Sequence, residues 1–311
     1  MSEPFDLIVV GAGPAGLATA IYAARARLKT LVLDSSVPGG QVKTTHKVSN
    51  YPGFADDVKG SELAAAFAQQ AQRFGAQIRR AVEITEVDLQ APQKRIVLDE
   101  EDEVTAPAVV VATGARPRSL GVDGESRFKG RGISYCATCD GAYFEGKDIH
   151  VIGGGNSAVE ESLFLTQFAR SVTIVHQLDH FQCEASTAQE ALSNPKIRVI
   201  WDSEPRAFMG EKSLEKLRLE NVKTHEVTEL ATDGVFVFIG MVPQTELLQG
   251  VVPLNKWGYA ETDESMATPV PGLYVAGDVR AKLFRQITTA VADGTIAALA
   301  AQRYLRDRAK G

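Results

Sequence analysis

Residues 5–26 limit what this 311-residue chain can fold into more than any other stretch. Phe5 to Val10 is a compact apolar run of the kind that forms a parallel strand buried on both faces. Gly11-Ala12-Gly13-Pro14-Ala15-Gly16 follows at once, and Leu17 to Ala26 then reads as a helix. The three glycines of such a turn have separate tasks. The first permits a tight reversal, the second lets a pyrophosphate approach the backbone, and the third lets the helix pack closely on its strand. A bare glycine pattern is weak, but between a strand and a helix it specifies a dinucleotide-binding unit. The next strand, Thr30 to Leu33, ends at Asp34, where a carboxylate for a ribose diol is expected.

The pattern occurs twice. Asp148 to Ile152 reads as a strand, Gly153-Gly154-Gly155-Asn156-Ser157-Ala158 as a second turn of the dinucleotide type, and Val159 to Phe168 as its helix. The following strand, Val172 to Val175, should end at the residues that choose the nucleotide. The length suits two domains. A net charge of −6 argues against general nucleic-acid binding. The longest apolar runs fall far short of a membrane span, and the acidic start, Met1-Ser2-Glu3-Pro4-Phe5-Asp6, lacks the features of a secretory signal. Three cysteines, two of them in one motif, do not make an extracellular disulfide framework, so a cytoplasmic location is expected.

Tyr135-Cys136-Ala137-Thr138-Cys139-Asp140-Gly141 supplies the chemistry. Two thiols separated by two residues can close a disulfide and so accept and release two electrons, and the adjoining carboxylate can carry the accompanying proton. Half a zinc site is the alternative. Tetrahedral zinc needs four ligands, however, and the only other cysteine, Cys183, stands alone, so no metal is expected.

Further along, Pro38-Gly39-Gly40-Gln41 can bring backbone and an amide against a flat polar ring, and Asn50-Tyr51-Pro52-Gly53-Phe54 reads as a turn with an aromatic lid. Ser61 to Gly75 has the apolar spacing of a core-facing helix. Val109-Val110-Val111-Ala112-Thr113-Gly114 is a strand ending in a glycine turn, and Leu273-Tyr274-Val275-Ala276-Gly277-Asp278 repeats it with a carboxylate added. Thr288 to Tyr304 reads as a closing helix, with a frayed charged tail from Arg306 to Gly311.

In this order, Gly11 to Gly16, Gly39-Gly40-Gln41, Ala112-Thr113-Gly114, the Cys136–Cys139 pair and Gly277-Asp278 resemble the low-molecular-weight thioredoxin reductases over nearly the whole chain. The resemblance implies an α/β fold of two Rossmann-like dinucleotide-binding domains of the three-layer ββα type, the second inserted into the first. The expected segments are 1–114 and 243–311 for an FAD domain and 115–242 for the domain carrying the cysteines. It implies FAD held by Gly11, Gly13, Pro14, Ala15, Gly16, Asp34, Gly40, Gln41, Asn50, Thr113, Gly114, Gly277, Asp278, Arg285, Gln286 and Ile287. It also implies a homodimer, thioredoxin as partner, and catalysis by Cys136 and Cys139, with Cys139 nearer the flavin and Asp140 managing the proton. In relatives the two domains rotate, which would place hinges at Gly114-Ala115 and Met241-Val242-Pro243.

One departure stands out. Members of the family that use NADPH place two arginines directly after a histidine at the end of the strand following the second turn, and a third four residues beyond. Here the segment is His176-Gln177-Leu178-Asp179-His180-Phe181-Gln182, with Asp179 and Glu184 adding negative charge. A 2′-phosphate needs cations, best guanidinium forks, and an NADH site usually has an acid at the strand end, which His176-Gln177 does not provide. His176 itself reads as a capping or packing residue, and Cys183 as a small buried hydrophobe. The segment resembles relatives that lack these arginines and take electrons from ferredoxin. An acidic ferredoxin would dock on a cationic face, for which Arg25, Arg27, Lys29, Arg280, Lys282 and Arg285 are candidates. Conventional NAD(P)H use, a second flavin in the vacated cleft, and a flavin-binding redox sensor without turnover are the alternatives.

Overall fold

The computed structural model describes residues 3–45, 48, 50–99 and 102–310. Seven α-helices lie among them: α1 (Pro14–Arg25), α2 (Gly60–Arg73), α3 (Glu125–Phe128), α4 (Ala137–Asp140), α5 (Asn156–Leu165), α6 (Ala185–Ser193) and α7 (Ile287–Arg308). The chain divides into two compact units, Met1–Arg116 with Val242–Gly311, and Pro117–Met241.

The first unit is built on five parallel strands in the order Leu273–Val275, Ala108–Val111, Leu7–Val10, Thr30–Asp34 and Gln77–Arg80. The three central strands are apolar along their length because both faces are covered. Leu7, Val9, Val32, Ala108 and Val110 pack with Leu17 and Ala20 of α1 and Ala290, Ala297 and Ala301 of α7. Their alternate neighbours Ile8, Val10, Leu31, Leu33, Val109 and Val111 pack instead on Ile96, Leu98 and Val104. Those three belong to a second, four-stranded sheet ordered Glu3–Pro4, Asp102–Ala106, Lys94–Leu98 and Ile84–Asp88. The period-two alternation of side chains thus feeds two cores from one sheet, giving three layers.

The second unit repeats the plan with different details. Its parallel sheet runs Ile133–Ser134, Gly234–Val237, Asp148–Ile152, Ser171–Val175, Ile197–Ile200. Ile149, Val151, Val172 and Ile174 face α5, while Ile152, Val175, Val235 and Val237 face Phe208, Leu217 and Leu219 of a three-stranded antiparallel sheet. The fold is therefore α/β, with the two parallel sheets of two Rossmann-like units.

Helix boundaries differ from the sequence expectation in a consistent way. α1 begins at Pro14 and α5 at Asn156, inside their glycine turns, because Gly13 and Gly155 already act as N-caps. The charged tail is not frayed through its described part: α7 continues to Arg308, whose guanidinium donates to the Pro92 carbonyl at 2.7 Å. Gly311 lies outside the described residues. None of the helices among the described residues is long and apolar enough to cross a membrane.

Candidate functional site

In the first unit, the turn after Leu7–Val10 is shaped by backbone contact. A Cβ on Gly16 would lie 1.8 Å from the Gly11 carbonyl oxygen, and one on Gly11 would lie 2.4 Å from that of Ala112. Gly13 is different: the nearest atom to its would-be Cβ is the Cα of Gly40, at 3.8 Å. Gly40 has a left-handed φ of 57°, and Gly39 donates its amide to the Ala12 carbonyl at 2.7 Å, so the two glycine segments face each other. Pro14 occupies the first turn of α1, where its missing N–H costs nothing. Asp34 closes the floor. Its carboxylate accepts the Ala12 amide at 2.7 Å and the Ser36 amide at 2.8 Å, which ties the strand end to the glycine turn.

The other flavin candidates gather around this turn. Gly277 has φ 83°, a Cβ there would lie 2.7 Å from that of Ala15, and its amide donates to Asp293 at 3.1 Å. Thr113 donates its hydroxyl to the Gln244 carbonyl at 2.6 Å, and the Gly114 carbonyl accepts the Gln244 amide at 2.9 Å. Gln286 caps α7 through a capping box with Thr289, and its side-chain oxygen accepts from Asn50 Nδ2 at 3.3 Å. Ile287 packs against Val42, Val48 and Leu63. Gln41 is exposed on the short helical turn Gly40–Thr44. Tyr51 sits 6.3 Å from Phe54 and 5.5 Å from Phe67, ring centre to ring centre.

Two buried polar atoms here lack a donor or acceptor. Lys282 Nζ stands 3.0 Å from Asp278 Oδ1, but not in hydrogen-bond geometry, so that oxygen has a charge partner and no donor. The Arg285 Nε–H has no acceptor, although its guanidinium lies 4.1 Å over the Tyr259 ring. Buried polar atoms are normally satisfied. A phosphate-bearing group with hydroxyls and ring nitrogens, seated on the open Gly13–Gly40 surface, supplies what these atoms lack, and the residues present fit FAD.

In the second unit, the thiols are joined as a disulfide, with a Cα–Cα distance of 5.3 Å. Cys136 is the N-cap of α4, and Asp140 is its last residue. The segment is held from behind by two residues that sequence reading missed. Ser134, 5 % exposed, donates to Asp140 Oδ2 at 2.5 Å and accepts the Cys136 amide at 3.1 Å. Glu125, 3 % exposed, accepts from Tyr135 Oη (2.8 Å), Ser119 Oγ (2.5 Å), the Leu120 amide (3.0 Å) and the Gly121 amide (2.8 Å). Burial opposes its charge, but the four donors outweigh burial and hold its carboxyl below the usual range. Burial first, then the bond to Glu125, pushes the Tyr135 phenol up.

At the second glycine turn, His176 is 5 % exposed and packs its ring on Gly154, where a Cβ would lie 2.4 Å from ring carbons. It also stacks near Phe181 and meets Trp201 edge-on, and burial lowers its pKa. Its ring packs, while its Nε2, like Glu161 Oε2 on α5, is buried with no hydrogen-bond partner. Cys183 is half-buried rather than buried, and burial and the charges of Glu160 and Glu184 raise its thiol pKa. The cation beside Asp179 is one that the linear sequence did not reveal: Lys223 reaches Asp179 at 3.3 Å and Asp202 at 2.9 Å. Gln177 and Gln182 are exposed, and the Gln182 amide donates to the Gly154 carbonyl at 2.7 Å.

The expected cationic docking face does not hold together. Lys282 has a side chain only 9 % exposed and bridges Asp278 and Asp293, and Arg280 pairs with Asp293 at 3.6 Å and donates to Thr262 at 2.8 Å. Both are internal ion-pair residues, because the turn after Asp278 folds back on α7. Arg25, Arg27 and Lys29 are exposed, and with Arg73 they line a groove of about 580 Å³ at the N-terminal ends of the strands, opposite the glycine turn.

A glycine cradle fitted to FAD in one unit and a disulfide beside a carboxylate in the other define a flavoprotein disulfide reductase. The sequence model of the family described as pyridine nucleotide-disulphide oxidoreductase matches residues 5–294. A thioredoxin reductase of Peptoclostridium acidaminophilum is 42 % identical over 311 residues, covering 98 % of each chain. A protein of Clostridium pasteurianum described as a 34.2 kDa protein in the rubredoxin operon is 48 % identical over 304 residues, 97 % of this chain and 98 % of that one. Among solved structures, the thioredoxin reductase of Streptococcus pyogenes superposes with a TM-score of 0.93 at 39 % identity, over 99 % of this chain and all of that one (100 %). The chain belongs to the pyridine nucleotide-disulphide oxidoreductase family and, within it, to the low-molecular-weight thioredoxin reductases, FAD-dependent disulfide oxidoreductases with a Cys-x-x-Cys pair.

Proposed function

We propose that this protein reduces a thioredoxin disulfide through Cys136 and Cys139 and that its electrons come from ferredoxin rather than NADPH. The observation carrying the second half is the composition of the strand end beyond the second glycine turn. Gln177, Leu178 and Gln182 stand where a 2′-phosphate would need guanidinium groups, and the nearby Lys223 is already shared by Asp179 and Asp202. Three charge-assisted contacts of roughly 1.5–3 kcal/mol each are missing, which is several orders of magnitude in affinity.

The residues of the first unit, Gly11 to Gly16, Asp34, Gly40, Asp278 and Arg285 among them, would hold FAD, which when bound supplies the electron pair. In the second unit the disulfide takes up two electrons and two protons and becomes a dithiol. Asp140 carries one of those protons, and Cys136 as thiolate attacks the partner's disulfide through a mixed disulfide. We assign a homodimer to the α1–α7 face, where Tyr22, Ile296 and Leu299 are exposed apolar residues on helices that pack together. Of the cations expected to attract an acidic ferredoxin, Arg25, Arg27 and Lys29 are exposed beside Arg73. Lying at the end of the strands away from the glycine turn, they would steer the partner rather than form the point of electron entry. Arg27→Glu should slow ferredoxin-driven turnover in a salt-dependent way, and an unchanged rate would remove the groove from consideration.

The deciding experiment is anaerobic bleaching of the flavin's visible absorbance with NADPH, NADH and reduced ferredoxin offered separately. Bleaching by ferredoxin alone is expected. Rapid bleaching by NADPH would make this an ordinary NADPH thioredoxin reductase. A second reading, a nucleotide without a 2′-phosphate at the second turn, is favoured by Gly155, where an added Cβ would meet no atom within 4 Å. More than one flavin per chain, or rapid bleaching by NADH, would select it.

A further inference from the structure

Ser134 ends the two-residue strand Ile133–Ser134, two positions before the first thiol, and is buried. Its hydroxyl has one proton to give and two acceptors in reach: Asp140 Oδ2 at 2.5 Å and the Cys136 carbonyl at 3.3 Å. The shorter, charge-assisted bond takes the proton, and the lone pair on the other side receives the Cys136 amide at 3.1 Å. One hydroxyl therefore links the carboxylate that follows the second thiol to the backbone of the first. A hydrogen bond donated to a carboxylate favours its ionised form.

We propose that Ser134 is a positioning residue for disulfide exchange, acting through Asp140, whose ionised form it stabilises and whose orientation it fixes relative to Cys136. The proposal rests on the reading that Asp140 carries a proton in the reaction. When the disulfide takes up two electrons and two protons, the proton passing through Asp140 comes from a carboxyl whose acidity the Ser134 hydroxyl sets. Without that bond the carboxyl keeps its proton to higher pH.

The test uses holoenzyme reduced anaerobically with dithionite, which makes it independent of the natural donor. Anaerobic gel filtration then removes dithionite and sulfite, which would cleave the probe themselves. The rate at which the dithiol gives up its protons and electrons to 5,5′-dithiobis(2-nitrobenzoic acid) is followed as a function of pH. Asp140→Asn identifies the limb of the profile that belongs to Asp140 by abolishing it. Ser134→Ala is expected to move that limb up by about one to two pH units, the equivalent of one charge-assisted hydrogen bond. Ser134→Thr, which keeps the hydroxyl, should restore the wild-type profile. If the alanine variant does not accumulate as folded protein, Ser134→Val, which has the shape of threonine without its hydroxyl, carries the same test. A uniform loss of rate without a shift would make Ser134 merely structural and overturn the proposal, as would a limb left in place. A limb untouched by Asp140→Asn would overturn the role of Asp140 as well, so the two failures are distinct.

Discussion

The carboxylate of Glu125 should carry much of the stability of the segment that bears the disulfide. Truncation by Glu125→Ala leaves the Leu120 amide and the Tyr135 hydroxyl facing an empty acceptor position, while the Gly121 amide keeps Ser119 Oγ at 3.1 Å and the Ser119 hydroxyl can turn elsewhere. At about 1–1.5 kcal/mol for each of the two donors left unpaired, the loss is about 2–3 kcal/mol. Glu125→Gln keeps one oxygen, and Ser119 can rotate to accept from the new amide, so it should cost only about 1–2 kcal/mol.

The chain contains two tryptophans, Trp201 in the second unit and Trp257, which is exposed, in the first. In a Trp257→Phe background, tryptophan fluorescence during urea unfolding reports the second unit alone. With a denaturant slope of roughly 1.5–2 kcal/mol per molar, the alanine variant should lose about 1–2 M in midpoint. The pH dependence has a definite sign. Because the folded pKa of Glu125 is depressed, its contribution is complete above its ordinary value of 4.5 and fades as pH falls below it, so the wild type should approach the alanine variant in acid. A midpoint unchanged by Glu125→Ala at neutral pH, or a glutamine variant as damaged as the alanine one, would refute the account.

Gly16→Ala should fail to fold, because its Cβ would lie 1.8 Å from the Gly11 carbonyl oxygen, while Gly13→Ala should fold yet lose FAD during gel filtration; flavin retention at the wild-type level would refute the cradle. His150 is buried with its pKa lowered to about 4, by burial first, so below its ordinary value of 6.5 the unfolded chain takes a proton that the folded chain refuses. That difference removes about 3 kcal/mol between pH 6.5 and 4, and a His150→Gln protein should lack this part of the acid dependence in urea unfolding. Introducing the absent cations as Gln177→Arg with Leu178→Arg and Gln182→Arg should raise the rate of flavin bleaching by NADPH at least about tenfold, since each restored contact is worth a factor of that order. An unchanged rate would mean that the nucleotide is refused for another reason.

The sheets and their order of use were legible because a glycine turn between strand and helix has few alternatives, and because apolar runs mark strands covered on both faces. What escaped the sequence was decided by partners far along the chain. Lys94 is wholly buried, its ammonium satisfied by the carbonyls of Ala91 and Pro271, 177 residues away. Lys282 and Arg280 read as a docking patch and are instead drawn inward by Asp293. Lys223 reaches the nucleotide-selecting segment from a hairpin more than forty positions downstream, 44 from Asp179. Glu125 gives no local signal, being a single acid between Gly124 and Ser126 whose value lies in four donors that the fold delivers. Ser134 was within the motif's reach, but only geometry shows that its hydroxyl serves Asp140 and Cys136 together.

The same distinction between packing and ligand bears on the second glycine turn, whose presence looks at first like an argument for a bound nicotinamide nucleotide. Six glycines make up the two turns, and four of them are required whether or not anything binds. A Cβ on Gly11 or Gly16 would strike backbone oxygen, one on Gly153 would lie 2.4 Å from the Phe238 carbonyl oxygen, and one on Gly154 would enter the His176 ring. A unit that had given up its nucleotide would therefore keep Gly153 and Gly154 for its own packing. Only Gly13 and Gly155 are spared such contacts, and these two are the positions where a phosphate would approach. In the first unit the open glycine stands with Gly40, Asp278 and Arg285, two of them with buried polar atoms in need of a partner. In the second unit the open glycine bridges to Gln182, which carries no charge for a phosphate, and the buried atoms without a partner are His176 Nε2 and Glu161 Oε2. The first turn is thus supported by its surroundings, and Gly153 and Gly154 of the second are explained by their neighbours' shape whether or not a nucleotide binds.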